Sequence, residues 1–84
     1  MNRIIILGRV SKLGTLLWAG KKHRRKITLI EDVGKNTITY IVLAYEDLAE
    51  SPLHVGDTIL AEMHFDLAKN LVLDKVSIQE GLSL

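Results

Sequence analysis

An all-β fold of five strands, with one short helix between the third and fourth, is what this 84-residue sequence predicts. Three observations carry the prediction. Helical periodicity is nearly absent. Segments rich in β-branched residues recur along the chain, each bounded by turn residues. The length suits one domain, residues 1–84, and a hydrophobic content of 48% can fill its core.

The first strand is expected over Arg3 to Val10. Ile4 and Ile6 fall on one face and Ile5 and Leu7 on the other, so the strand is apolar on both sides and belongs in the middle of a sheet or in an interface. A turn-rich stretch, Ser11 to Gly20, follows and contains Trp18. The second strand runs from about Arg24 to Glu31, where Ile27 and Leu29 alternate with Lys26 and Thr28. Val33-Gly34-Lys35-Asn36 reads as a hairpin turn. The third strand, Thr37 to Tyr45, has the strongest β pattern in the chain.

Glu46 to Glu50 allows about one helical turn, ended at Ser51 because Pro52 disfavours helical geometry before it. Val55-Gly56-Asp57 turns the chain into the fourth strand, Thr58 to Asp66. There Ile59, Ala61, Met63 and Phe65 share the inward face, while Thr58, Glu62, His64 and Asp66 face outward. After a turn at Ala68-Lys69-Asn70 the fifth strand, Leu71 to Gln79, switches phase at Asp74-Lys75, as a bulge would make it do. Five strands with one short helix after the third match the OB fold, a small five-stranded barrel.

Charge is distributed unevenly. The formal net charge is only +1, yet Arg3, Arg9, Lys12, Lys21, Lys22, Arg24, Arg25, Lys26 and Lys35 all precede residue 36, opposed there by Glu31 and Asp32 alone. The other acids follow residue 45. A basic front half and an acidic back half can mark a nucleic-acid surface. The absence of cysteine excludes disulfides and thiolate metal sites, and points weakly to an intracellular, cytoplasmic setting. Met1 to Leu7 is too short an apolar run for a secretory leader, and no segment approaches the roughly 20 apolar residues of a membrane helix.

In chain order, four segments resemble bacterial and phage single-stranded DNA-binding proteins. Met1-Asn2-Arg3-Ile4-Ile5-Ile6-Leu7-Gly8-Arg9-Val10 is similar to their first strand. Leu43-Ala44-Tyr45-Glu46-Asp47-Leu48-Ala49-Glu50 is similar to the end of their third, with an aromatic shortly before Leu-Ala-Glu. Val55 to Glu62 resembles the entry to strand four, and Leu73 to Ile78 the closing strand. The resemblance implies an OB fold, sequence-tolerant binding of single strands, assembly as a homo-oligomer and no catalysis. Three features depart from the family pattern. The hairpin after the second strand is short, Thr39 stands where many members carry an aromatic, and the sequence ends at Gly81-Leu82-Ser83-Leu84 rather than in an acidic tail. In the last respect the chain is similar to the tailless primosomal OB proteins.

The residues expected to bind nucleic acid are Arg3, Arg9, Lys12, Trp18, Lys21, Lys22, Arg24, Arg25, Lys26 and Tyr45. In Lys21-Lys22-His23-Arg24-Arg25-Lys26, strand alternation would put Lys22, Arg24 and Lys26 on one face, where they can track phosphates. Trp18 and Tyr45 supply rings for base stacking. Tyr40 has the opposite parity to Tyr45, so one of the two packs inward. Phe65 shares its face with Ile59 and Met63 and is read as core. Ile5 and Leu7 are the candidate subunit interface, in a dimer or tetramer. Glu62, His64 and Asp66 alternate on one strand face, but a half-exposed strand gives that pattern by default, and no metal, cofactor or small-molecule substrate is expected. Nucleophile–base pairs and a Gly-rich phosphate loop are lacking, so no enzyme is expected. The expected function is single-stranded DNA binding in replication, recombination or repair. RNA is not distinguished, since nothing reads a 2′-hydroxyl. The alternative is a protein-interaction OB module, an adaptor subunit in a replication or primosome-type complex.

Overall fold

Residues 2–79 are described by a computed structural model of the chain. The ending at Gly81 to Leu84 lies outside them. Six strands form in order: β1 (Ile4–Leu13), β2 (Leu17–Ala19), β3 (Lys22–Val33), β4 (Asn36–Tyr45), β5 (Thr58–Phe65) and β6 (Leu71–Ile78). They join as β1-β5-β6-β4-β3-β2, and a further pairing of β1 with β3 closes β1, β5, β6, β4 and β3 into a five-stranded barrel. Every pairing is antiparallel except β4 with β6, so the barrel is mixed. Closure covers most of the strand edges that would otherwise invite pairing with other chains, and leaves the start of β1 paired on one side.

β1 makes closure possible by serving two neighbours. Ile4 to Arg9 pair with β5, and Arg9 onward pairs with β3, with a register shift between Val10 and Lys12. Such a shift bends a strand and steepens its twist, which lets one strand turn a barrel corner. β1 therefore reaches Leu13, past the expected end at Val10. The stretch after it is less turn-like than expected, because Leu17 to Ala19 find ladder partners in the start of β3. Three residues are too few to show an alternating pattern, so only pairing could reveal β2. Gly20 and Gly34 take positive φ, 66° and 62°, at the first position of the two-residue turns joining β2 to β3 and β3 to β4, a conformation glycine adopts without steric cost.

The inward residues follow the alternation read from the sequence. Ile6, Val10, Ile27, Leu29, Val42, Ala44, Ile59, Ala61, Met63 and Leu73 are buried in one cluster with Ala49 and Leu53. The phase switch in the last strand is also where the sequence placed it. Glu62 pairs with Lys75 but Met63 with Leu73, which leaves Asp74 as the extra residue of a bulge.

One expectation is met only in part and another fails. The short helix is a single 3-10 turn, Glu46–Leu48, between β4 and β5. Too few residues lie before Pro52 to repay an α-helical nucleus, and the amide of Glu50 is shared between the carbonyls of Glu46 and Asp47. Phe65 is not core: it is 43% exposed. It is the last residue of β5, opposite Leu71 at the barrel rim, and the closed interior ends at Met63.

Of the two tyrosines, Tyr40 packs partly against the core and Tyr45 is exposed. The Tyr40 hydroxyl donates to Glu31 Oε1 at 2.8 Å. That hydrogen bond, then burial, then the carboxylate charge raise the phenol above its ordinary value of 10.0. A raised tyrosine contributes stability that is fully present below the ordinary value and is lost as pH rises through the raised one. Tyr40→Phe should cost about 0.5 kcal/mol near neutrality, the low end for a hydrogen bond because the pair is partly open to water. The difference from wild type should close at alkaline pH in parallel urea titrations, and the variant should lose a late-titrating phenol in its ultraviolet spectrum.

Candidate nucleic-acid interface

Directly paired residues of antiparallel strands point to the same side of the sheet, so the registers define what the outer surface of β2, β3 and β4 presents. Leu17, Arg24 and Tyr45 form one row, Lys26 and Leu43 the next, Lys12, Thr28 and Ile41 a third, and Arg9, Ile30 and Thr39 a fourth. Lys22 extends the column beyond Arg24. The opposite parity of β3 carries Ile27 and Leu29 into the core. Alternation alone thus converts the basic run into a column, Lys22, Arg24 and Lys26, all exposed. Its members repeat about every 6.7 Å along the strand, a spacing that suits successive phosphates of an extended single strand.

Beside this column lies apolar surface. One groove of about 570 Å³ is lined by Gly14, Thr15, Leu17, Arg24, Arg25, Lys26, Leu43 and Asn70. A second, of about 300 Å³, shares Lys26, Leu43 and Asn70 and adds Ile41, Phe65, Lys69 and Leu71. Among the described residues no carboxylate lines either groove, so the cations there face an anion without competing charge. Ile41, Tyr45 and Phe65 are exposed flat or aliphatic surface next to those cations. Phosphates need the first kind of group and bases the second.

The other expected contacts are placed as follows. Lys12 joins the face beside Thr28. Arg25 has inward parity opposite buried Ala44, yet it lines the first groove with its neighbours. Lys21 is exposed in the turn between β2 and β3. Arg9 Nη1 lies 3.5 Å from Asp32 Oδ2, so the column ends in a neutral pair. Arg3 pairs with Glu62 on the far side of the barrel, away from this face. Trp18 is opposite His23, so β2 turns its indole to the side away from Arg24. The indole lies over the His23 ring at 4.4 Å and 36°. His23 is buried inside the basic run, with Nε2 2.7 Å from Glu50 and Nδ1 3.8 Å from Glu46. That end of the barrel is acidic, whereas the outer face of β3 is basic.

Ile5 and Leu7 are 53% and 51% exposed, on the outer side of β1. Leu7 pairs with Leu60, also exposed, which makes a small apolar patch on the β1–β5 surface. Arg3, Glu62, Asp74 and Lys75 line the depression beside Ile5 and Leu60. His64, one of the alternating acid-and-histidine set on β5, turns its Nδ1 to Asp74 at 2.8 Å. Among the described residues no group of His, Asp and Glu is arranged to hold a metal.

Sequence reasoning missed Leu17, Ile41, Leu43, Phe65 and Lys69 as parts of this face. Ile41 and Leu43 look like core in a β-branched run, and only the register with Thr28 and Lys26 turns them outward. The signal that was available is parity. Leu43 and Ile41 alternate with Val42 and Ala44, in phase with Tyr45.

No family model matches the chain, and no curated protein matches it. Solved structures do. The second single-stranded DNA-binding protein (SSBb) of Mycobacterium smegmatis superposes with a TM-score of 0.74 at 14% identity, over 93% of this chain and 88% of that one. The SSB domain of a Synechococcus protein gives 0.77 at 14% identity, over 90% and 93%. PriB of Ralstonia solanacearum gives 0.77 at 9% identity, over 94% and 99%. At such identities the likeness establishes the fold: this chain has the OB fold that these proteins share.

Phe65 tests the surface assignment directly. A buried phenylalanine costs about 3–5 kcal/mol when cut to alanine. Phe65→Ala should cost less than about 1 kcal/mol in chemical denaturation, because much of its ring is already in contact with water.

Proposed function

We propose that the chain binds single-stranded DNA, without strong sequence preference and without catalysis, on the outer face of β3 and β4. One observation carries the reading. Lys22, Arg24 and Lys26 stand in a column with Tyr45, Leu43 and Ile41 on the neighbouring strand, and Arg24, Lys26, Leu43, Ile41 and Phe65 line grooves whose described linings include no carboxylate. The cations hold the backbone and the apolar groups receive bases, a division of labour that tolerates many sequences because every nucleotide has a phosphate and a π-face. The names of the structural relatives, single-stranded DNA-binding proteins and PriB, are consistent with the same ligand. Trp18, turned away from the column, is left out of the central contact set, and Arg3, tied to Glu62, is left out with it.

The same reading includes self-association. Among the described residues, Ile4 to Gly8 pair with β5 on one edge only, and the barrel pairing with β3 begins at Arg9. A free backbone edge next to exposed Ile5, Leu7 and Leu60 suits a second copy of β1. Ile5→Lys should separate the oligomer into monomers in light scattering while the circular dichroism of the barrel is retained. A wild-type chain that is monomeric at high micromolar concentration would rule this interface out.

Replacing Lys22, Arg24 and Lys26 together by glutamine should weaken binding to oligothymidine and to mixed-sequence single strands by similar factors. Fluorescence anisotropy across a salt series should show a shallower dependence of log K on log salt. The slope should fall by about 0.7 for each phosphate that the variant no longer neutralises. If the triple variant binds like wild type, the outer face of β3 is not the site.

A further inference from the structure

The β5–β6 hairpin carries a feature that binding an extended strand does not need. Its tip, Asp66 to Asn70, is tied by the Asp66 amide to the Asn70 carbonyl at 2.9 Å, by the Lys69 amide to the Asp66 carbonyl at 3.0 Å, and by the Asn70 amide to Asp66 Oδ1 at 2.9 Å. Lys69 accepts a positive φ of 66° to close it. From this braced turn Leu67 projects with its side chain fully exposed. Single exposed apolar residues are ordinary, but this one is not isolated. Phe65 and Lys69, on either side of it in sequence, line the groove that contains Lys26, Ile41 and Leu43. The tip therefore stands at the end of the basic face, with cations on the inner side and an aliphatic wedge beyond them.

We propose that Leu67 is a wedge that recognises the point where a single strand enters a duplex. The inference rests on the reading above: the unpaired strand lies along β3 and β4, and Leu67 packs against the last base pair where that strand leaves the groove. Apolar side chains held rigidly at a nucleic-acid surface insert at base steps and partly unstack them, and burial of the aliphatic group offsets the loss of stacking. The cost is least at a duplex end, where one face of the terminal pair is already open. Lys26 and Lys69 face the phosphates that flank such a junction. Asp66, the one carboxylate in the tip, is engaged by Asn70 through its amide and its side-chain nitrogen.

The test compares a labelled oligothymidine with the same oligothymidine joined to a short duplex, for the wild-type chain and for Leu67→Ser. Wild type should bind the junction about tenfold tighter than the plain strand. Leu67→Ser should keep the affinity for the plain strand within about twofold and lose the preference. A 2-aminopurine in the terminal pair should brighten with wild type and stay quenched with the variant. A wild-type chain that binds both substrates equally overturns the wedge and leaves the single-strand reading standing. So does a preference that survives in Leu67→Ser. If the variant loses affinity for both substrates alike, Leu67 is a general contact and the wedge is wrong. Failure of wild type to bind the plain strand overturns the underlying function and the wedge with it.

Discussion

At Arg9 the backbone of β1 passes from one partner to another. Arg9 is opposite Thr58 of β5 and also opposite Ile30 of β3, and the register shift that follows lets the strand turn the corner. Without that exchange β1 and β2 would be the outer edges of an open, twisted sheet, and Ile6, Val10, Leu29 and Ile59 would lack a common interior. The loop before β5 reinforces the bend: Gly56 donates to the Val10 carbonyl, and Val10 donates to the Asp57 carbonyl, each at 2.8 Å. In a domain this small, which buries only about 60% of its unfolded surface, a closed ladder around a few large apolar side chains is a large part of what can stabilise it.

Closure also sorts the side chains. In a barrel so narrow the interior accepts one parity of each strand, and the other must face outward. For β3 the outward parity is Lys22, Arg24, Lys26, Thr28, Ile30 and Asp32. For β4 it includes Tyr45, Leu43, Ile41 and Thr39. The candidate interface is thus a by-product of the same alternation that builds the core. Its thin supply of rings follows from Thr39 occupying an outward position. Tyr45 and Phe65 are the aromatics nearest the cation column, so affinity should depend on phosphate contacts and therefore on salt.

The molecule keeps its surfaces apart. The outer face of β3 is basic. The end capped by Trp18 and His23 is lined by Glu46 and Glu50, and the apolar patch of Ile5, Leu7 and Leu60 lies on the β1–β5 side. A polyanion drawn to the first surface is repelled from the second and gains little at the third. Under the proposed function, that separation would leave the β1 face available for another copy of the chain while the β3–β4 face holds a ligand.

Much of this was legible in the sequence, because strand alternation is a local property with a period of two. It placed Ile27 and Leu29 inside, Lys22, Arg24 and Lys26 together outside, Ile5 and Leu7 on an exposed face, and a bulge at Asp74. Pairing partners were not legible, since they depend on residues far apart in the chain. β2 exists only because the start of β3 offers it a ladder, and Trp18, expected to stack bases beside the basic run, pairs with His23 and faces away from Arg24. Phe65 has core parity, but the interior closes at Met63. Local pattern therefore determined which residues share a face of a strand. The closed barrel decided which of those faces meet and where the interior ends, because only the bend of β1 and the registers across it fix the distances between strands.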